Sequence, residues 1–337
     1  MATVSTSSSD TDHDLDVLQP AEPFSSNSLS LALAMAEEAN KNNPTDSRKH
    51  APDDLQRYAC MPDPPGRQEK DNEKHCIPND VYLYHTPKTV VILDLYPKSK
   101  IHLLILPRPQ AYPKLKKEDF LNLPTLLNKN KRIAKQVMED LNEEAIKVKA
   151  QVEEEMMKRF KFKWGIWIGF HGNPSMPHIH LHVISADLVS PKMSNKKHYN
   201  TFSPKIGIFI KLKTVLEWFE AVPSFWHDRL RELCDKNYYK DLQKEDLQCF
   251  YEDCRRQFRT MPALREHLQL EFTNMSRRER ERIARAKEFE RRRAAREAKR
   301  KTPDSRDGSQ EDGGEGSQTK KTKTNGGEEV ESQLTLV

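Results

Sequence analysis

The segment SMPHIHLHVIS, Ser175 to Ser185, sets His178, His180 and His182 at alternate positions, with Ile179, Leu181 and Val183 between them. In an extended chain successive side chains point to opposite faces, so the apolar three would face a core and the imidazoles would share the other side. Same-face neighbours on a strand sit roughly 6.5–7 Å apart, which leaves room for a phosphate group and an attacking atom. A metal ion or a phosphate ester would each fit such a row. A second constellation lies downstream. Cys249 and Cys254 are followed by twelve residues and His267, then by three more and Glu271. Two thiols, an imidazole and a carboxylate one helical turn beyond it are donors that zinc accepts. The spacing is that of a ββα finger, with Phe258 and Leu264 at its two apolar core positions and Glu271 in place of the usual second histidine.

Both sets of residues need elements to hold them. TVVILDLYP and KIHLLILPRP are apolar runs joined at YPKSK, the pattern of two antiparallel strands. A helical stretch follows over 124–160, with Leu126, Leu127, Ile133, Val137, Met138 and Leu141 at helical spacing. WGIWIGF, the histidine segment and IGIFI read as further strands, and VLEWFEAV as a closing helix. A hairpin, then a helix, then more strands predict an α+β fold with an antiparallel sheet over 79–222. A zinc-finger domain over 223–275 and a basic helical segment over 276–302 come next. Residues 1–78, rich in Ser, Asp, Asn and Pro, are expected to be mostly disordered, apart from a short helix at SLSLALAMAEEA that Ser28 can cap. The Gly/Ser-rich 303–337 reads as a disordered tail.

Composition narrows the function classes. With 36% hydrophobic and 32% charged residues in 337, part of the chain lies outside any folded core. Five cysteines, an odd number with one close pair, exclude a disulfide scaffold and suit an intracellular protein. The start lacks the basic and apolar regions of a signal peptide, and the longest apolar runs, such as IHLLIL, are far too short to cross a bilayer, so no membrane partner is expected. Net charge is +5, but Arg277 to Lys301 alone holds thirteen Lys/Arg against five Glu, about +8. That segment suits a nucleic-acid contact, a nuclear-import signal or a solvated, salt-bridged helix.

Residues 178–184 match the His-φ-His-φ-His-φ-φ motif of the histidine-triad superfamily at every position, φ being apolar, and Asp94, Pro97 and His102 match its hairpin. The resemblance runs from about Val81 to Val222, and His182 in the third place resembles the hydrolase branch. YPKSKIHLLILPR, GFHGNPSMPHIHLHVIS and NKKHYNTF together resemble the aprataxin family, enzymes that remove adenylate from DNA 5′ ends after abortive ligation. The Cys-Cys-His-Glu finger resembles the fungal type, and no forkhead-associated domain is expected before Val81. The resemblance implies that His180 is a nucleophile forming a covalent adenylyl-histidine, flanked by His178 and His182, which orient it and contact phosphate oxygens. It gives His102 and Lys98 the role of positive charge at phosphorus, His171 that of proton donor to the leaving group, Ser175 a phosphate oxygen and Asp94 the ribose hydroxyls. Lys196 and Lys197 would meet DNA phosphates, His198 or Tyr199 a base or sugar, and Arg255 and Arg256 the DNA backbone beside the finger.

The implied cofactor is one structural zinc ion held by Cys249, Cys254, His267 and Glu271, with none for catalysis. The implied partner is DNA with 5′-adenylated ends or nicks, in the nucleus. Other readings stay open at this level. Asp94 also suits a turn, Lys98 a solvated charge, and NKKHYNTF a basic surface loop. The triad would equally serve small nucleotides or nucleoside phosphoramidates, or be vestigial in a zinc-finger binding module.

Overall fold

Six strands of Val-, Ile- and Leu-rich sequence carry the site: β1 (Tyr82–His85), β2 (Thr89–Leu93), β3 (His102–Pro107), β4 (Ile166–His171), β5 (Leu181–Ser185) and β6 (Phe209–Lys211). They form one antiparallel sheet in the order β1-β2-β3-β5-β4-β6. The expected hairpin is β2–β3, with Val91 opposite Ile105 and Leu93 opposite Leu103. The computed structural model describes residues 26–42, 51–62, 77–78 and 80–301. The tail at 303–337 and the rest of the amino-terminal stretch, expected to be disordered, lie outside the described residues.

Alternation along the strands divides the sheet into two faces. Val91, Leu93, Leu103, Ile105, Leu181 and Val183 share a core with Val137, Met138 and Leu141 of α4 (Lys131–Phe160). Val90, Ile92, Leu104 and Leu106 lie on the opposite face, beneath Leu55 and Tyr58 of α2 (Asp54–Ala59). That second face also carries His102 and His182, since His102 alternates in phase with Leu104 and His182 pairs with it. The helical stretch expected from 124 is two helices. α3 (Leu123–Leu127) stops, and the Asn130 side chain accepts the Ile133 amide hydrogen to start α4 afresh.

Two elements lie within the stretch expected to be mostly disordered. α1 (Ser26–Asn42) buries Leu29, Ala32 and Leu33 against α4, and Ser30 and Arg159 both bond the buried Glu155. α1 is the short helix expected at SLSLALAMAEEA, whose apolar stripe at i, i+3, i+4 marks it, whereas six-residue α2 is too short to show a period.

On the carboxyl side come α5 (Lys196–Phe202), α6 (Leu212–Glu220), α7 (Pro223–Cys234) and α8 (Lys236–Leu242). The finger is β7 (Leu247–Gln248), β8 (Gln257–Phe258) and the start of α9 (Met261–Lys301). Its apolar residues Leu247, Phe250, Leu264 and Phe272 join the same core as the sheet. Trp167 meets Phe250 and Trp164 meets Phe272 edge-on, each at 5.1 Å between ring centres. The described residues up to Arg285 form one compact unit. From Ala286 a second unit begins, helical to 301 among the described residues, in which Phe289 is exposed between Glu288 and Glu290. No helix among the described residues is long and apolar enough to cross a membrane.

Candidate active site

The sheet register sets the histidines. His182 of β5 lies between Leu104 of β3 and Gly169 of β4. Gly169 is required there: a Cβ would sit 2.4 Å from the Ile210 carbonyl oxygen. His102, first residue of β3, has Nε2 2.9 Å from His182 Nδ1. The Lys98 amide, which can only donate, reaches His102 Nδ1 at 3.3 Å. His102 Nδ1 faces both this donor and the Asp94 carboxylate, an acceptor, and the His102–His182 pair leaves only Nε2 of His182 uncommitted. That Nε2 is buried and has no hydrogen-bond partner in the protein. Asp94 Oδ2 also lies 3.3 Å from His102 Nδ1. Burial, opposed by the Asp94 charge, pulls the His102 pKa down to about 4, so the ring is neutral near pH 7.

His180 precedes β5 and is held by its own backbone. Its Nδ1 lies 2.8 Å from the His178 carbonyl oxygen, an obligate acceptor, so Nδ1 carries the proton and Nε2 the lone pair. His178 does not share the face, contrary to strict alternation. It adopts a left-handed φ of 78°, and its amide bonds the Leu121 carbonyl while that of Ile179 bonds Phe120. The chain joins the sheet only from Leu181, so the alternation expected from 178 begins three residues late. The His178 ring, fully buried, stacks on Phe120 and donates from Nε2 to the Pro107 carbonyl at 2.9 Å. Its carbonyl orients His180; its ring is turned away.

His171 ends β4 with its ring 4.1 Å from that of His182 and 6.4 Å from that of His180. Its Nε2 is buried without a partner, and burial followed by the neighbouring imidazoles lowers the pKa of His171 well below the usual value. His182 is depressed in the same way. The Phe202 ring meets His102, His171 and His182 edge-on at 5.4, 4.5 and 5.3 Å, forming an apolar wall that contributes to this desolvation. Sequence reasoning quoted Phe202 within its motif and missed this role.

A cavity of about 510 Å³ opens over His171, His180 and His182, within the range of sites for small ligands. Asp94, Lys98 and Ser175 line it as expected, as do Lys197 and His198. Burial lowers the Lys98 pKa, partly offset by Asp94. Five lining residues lie outside every quoted motif: Leu55, Pro191, Lys192, Ser194 and Gln243, the last contributed from the finger side.

NKKHYNTF, read as a loop, is the helix α5, capped by Asn195, whose side chain accepts the His198 amide hydrogen at 2.8 Å. The helical period turns Tyr199 inward. It is fully buried, with its hydroxyl donating to the Gln248 carbonyl at 2.6 Å, so its ring is not presented to a ligand. Asn200 donates to the Gln243 and Glu245 carbonyls, and Lys196 pairs with Asp246 at 3.4 Å. Much of α5 thus joins the finger to the sheet.

In the finger, the donor atoms of Cys249, Cys254 and His267 lie within 4.8 Å of one another. Cys254 Sγ is 3.3 Å from His267 Nε2, which is 3.7 Å from Glu271 Oε1. Metal–ligand lengths of roughly 2.0–2.3 Å in a tetrahedron put donors about 3.3–3.8 Å apart, so Cys249, Cys254 and His267 fit zinc, with Glu271 near His267 but outside the cluster of three. Arg255 and Arg256 are exposed beside them, outside the cavity.

Two family models match. One, "Scavenger mRNA decapping enzyme C-term binding", a histidine-triad-like family, covers residues 68–198. The other, "C2HE / C2H2 / C2HC zinc-binding finger", covers 205–274. The aprataxin of Danio rerio is 32% identical over 186 residues, 55% of this chain and 48% of that protein. An aprataxin-like protein of Saccharomyces cerevisiae is 29% identical over 215 residues, 58% of this chain and 89% of that one. The chain is similar to aprataxins. It spans about half the length of the vertebrate aprataxins it matches. Among solved structures, the aprataxin ortholog Hnt3 from Schizosaccharomyces pombe is similar at 26% identity and a TM-score of 0.43, over 57% of this chain and 85% of that one. Along the chain the triad segment precedes the finger, in the order of the two matching models.

Proposed function

We propose that the chain is a DNA-repair hydrolase that removes adenylate from DNA 5′ ends in the nucleus, by way of a covalent adenylyl-histidine at His180. The observation carrying this reading is the His180 ring itself: Nδ1 is committed to a carbonyl, so the lone pair belongs to Nε2, and the residue lines a cavity with other imidazoles and lysines. A neutral imidazole fixed in this tautomer is a nucleophile towards phosphorus. Nε2 attacks the adenylate phosphorus, forming a P–N bond and breaking the P–O bond to the DNA 5′-phosphate, which departs. Water then cleaves the P–N bond, giving AMP and restoring the ring.

His182 meets an oxygen on phosphorus through its uncommitted Nε2, and the Lys98 ammonium adds positive charge where negative charge gathers. A bound pyrophosphate beside His171 raises the depressed pKa of that ring, because a nearby anion favours the protonated form. Substrate entry thereby turns His171 into a donor for the leaving phosphate. Cys249, Cys254, His267 and Glu271 hold zinc, which fixes the fold of the finger. Lys197 and His198 at the cavity, and Arg255 and Arg256 on the finger, contact the nucleic acid.

Release of AMP from a 5′-adenylated nicked duplex tests the reading, together with trapping of labelled adenylate on denatured protein. Failure of both ends the proposal. Faster turnover of a dinucleotide polyphosphate than of adenylated DNA favours a small-nucleotide hydrolase instead. The nitrogen atoms of His171, His180 and His182 lie within 4.8 Å of one another, which supports a second reading, a metal centre. Elemental analysis separates the two: one zinc per chain is expected, and two equivalents favour the metal centre.

A further inference from the structure

Lys205 lies three residues beyond α5 and takes no part in the cavity. Its ammonium donates to the carbonyl oxygens of Cys249 at 2.7 Å, Tyr251 at 3.1 Å and Cys254 at 3.0 Å. An ammonium has three N–H donors, so the whole set is committed to the loop that carries both thiols. The donor set explains why a cation belongs there. Zinc with two thiolates, a neutral imidazole and a carboxylate sums to −1, whereas a histidine at position 271 would leave the site neutral.

We propose that Lys205 is a positioning residue that supplies the counter-charge of the Cys-Cys-His-Glu site and links zinc occupancy to the wall of the catalytic cavity. The link is a continuous set of hydrogen bonds. Tyr199 holds the carbonyl of Gln248, next to Cys249, and Asn200 holds those of Gln243 and Glu245. Gln243 returns a bond from Nε2 to Thr201 Oγ1 at 3.2 Å, and both of these residues line the cavity. The chain from Thr201 to Lys205 thus runs from the cavity wall to the zinc loop. The counter-charge half stands on the finger alone; the linkage half rests on the cavity being the adenylate site.

The test uses the full chain loaded with zinc, and the Lys205→Met and Lys205→Arg variants. Zinc transfer to a chromophoric chelator reads affinity directly. Lys205→Met is expected to weaken zinc binding roughly tenfold, the lower end for outer partners of a metal site, and Lys205→Arg to stay within about threefold of the parent. In a Glu271→His background the loss from Lys205→Met shrinks to about twofold, because the site is then neutral. Unchanged affinity in Lys205→Met overturns the proposal, and so does an equal loss in both backgrounds. For the linkage, AMP binding is measured by calorimetry before and after zinc withdrawal, with at least a threefold weakening expected. AMP binding that ignores zinc overturns the linkage and leaves the counter-charge result standing. No AMP binding even with zinc present counts against the proposed reaction, and the linkage falls with it.

Discussion

The histidine cavity and the finger are both small constellations of ligand-grade side chains, yet they are built on different principles. In the cavity every position follows from sheet register and main-chain acceptors: His182 from pairing with Leu104 and Gly169, His180 from the His178 carbonyl. The rings are buried and preorganised by the protein alone. The finger has strands of two residues each and donor atoms gathered at 3.3 and 3.7 Å. So little regular structure cannot bury enough core by itself, and such units depend on their metal. Order comes from packing in one region and from coordination in the other, so damage to the finger is expected to leave the sheet folded and to reach the cavity only through its α5 wall.

The sharpest separation comes from His180→Ala. Turnover of adenylated DNA should fall by about 10⁴-fold or more, the scale seen when a nucleophile is removed. The adenylated protein band should vanish as well. The side chain makes its hydrogen bond to a local carbonyl, so the melting temperature should stay within about 2 °C. A variant with full turnover breaks the comparison on the cavity side. Cys254→Ser makes the complementary test. Zinc should drop well below one per chain, and the melting temperature should fall by roughly 5–10 °C, a loss of about 2–3 kcal/mol at this size. Hydrogen exchange should still find the β3 and β5 amides protected while those of the finger and α5 open. Loss of protection on β5 would show that the sheet depends on the metal too.

Acid should act on the two regions through different groups. His102, His178 and His198 are lowered to about 4, 3 and 4, and His171 and His182 lie well below the usual value, burial being the leading cause in each. Unfolded histidines titrate near 6.5, so between about pH 6.5 and 4 the unfolded chain takes up protons that the native state refuses. Their contribution is intact above pH 6.5 and is lost as pH falls through that window, at up to about 1.4 kcal/mol per pH unit for each ring. Zinc release would add its own acid dependence. Urea midpoints at pH 7.5, 6 and 5 should therefore keep falling in Cys254→Ser, which has no zinc to lose. A flat profile there would assign the pH dependence to the finger.

How much of this was legible follows the same division. The β2–β3 hairpin and the later strands follow from apolar runs and turn residues, and the finger from its spacing, because both are local in sequence; β1 and the order of strands in the sheet do not. The cavity histidines were legible as a motif, but their arrangement was not. Strict alternation put His178 beside His180, whereas two amide bonds to Phe120 and Leu121 hold it off the sheet in a left-handed turn. Contacts made far along the chain decide such a position, and no window of sequence contains them. The same holds for Gln243, which reaches the cavity only because α5 anchors the finger's lead-in, and for Tyr199, whose hydroxyl has a partner 49 residues away. NKKHYNTF looked like a basic loop because its helix is only seven residues, and its inward face matters more than its charge.

The smallest expected effect concerns the exposed arginines, where the finger's part in binding is separable from its part in folding. Arg255 and Arg256 are exposed on the loop after Cys254, and neither lines the cavity. Replacing both with Gln should leave zinc content and kcat unchanged and raise KM for adenylated duplex about three- to tenfold. Each lost phosphate contact should also lower the slope of log affinity against log salt by about 1. A small adenylated substrate confined to the cavity should be turned over as before. If KM for that small substrate rises equally, the arginines act through the finger's structure and not on a nucleic-acid backbone. If instead the salt slope is unmoved while duplex KM rises, their contact is with something other than phosphate, and the proposed division between a cavity that performs chemistry and a finger that holds the strand would need a different interface.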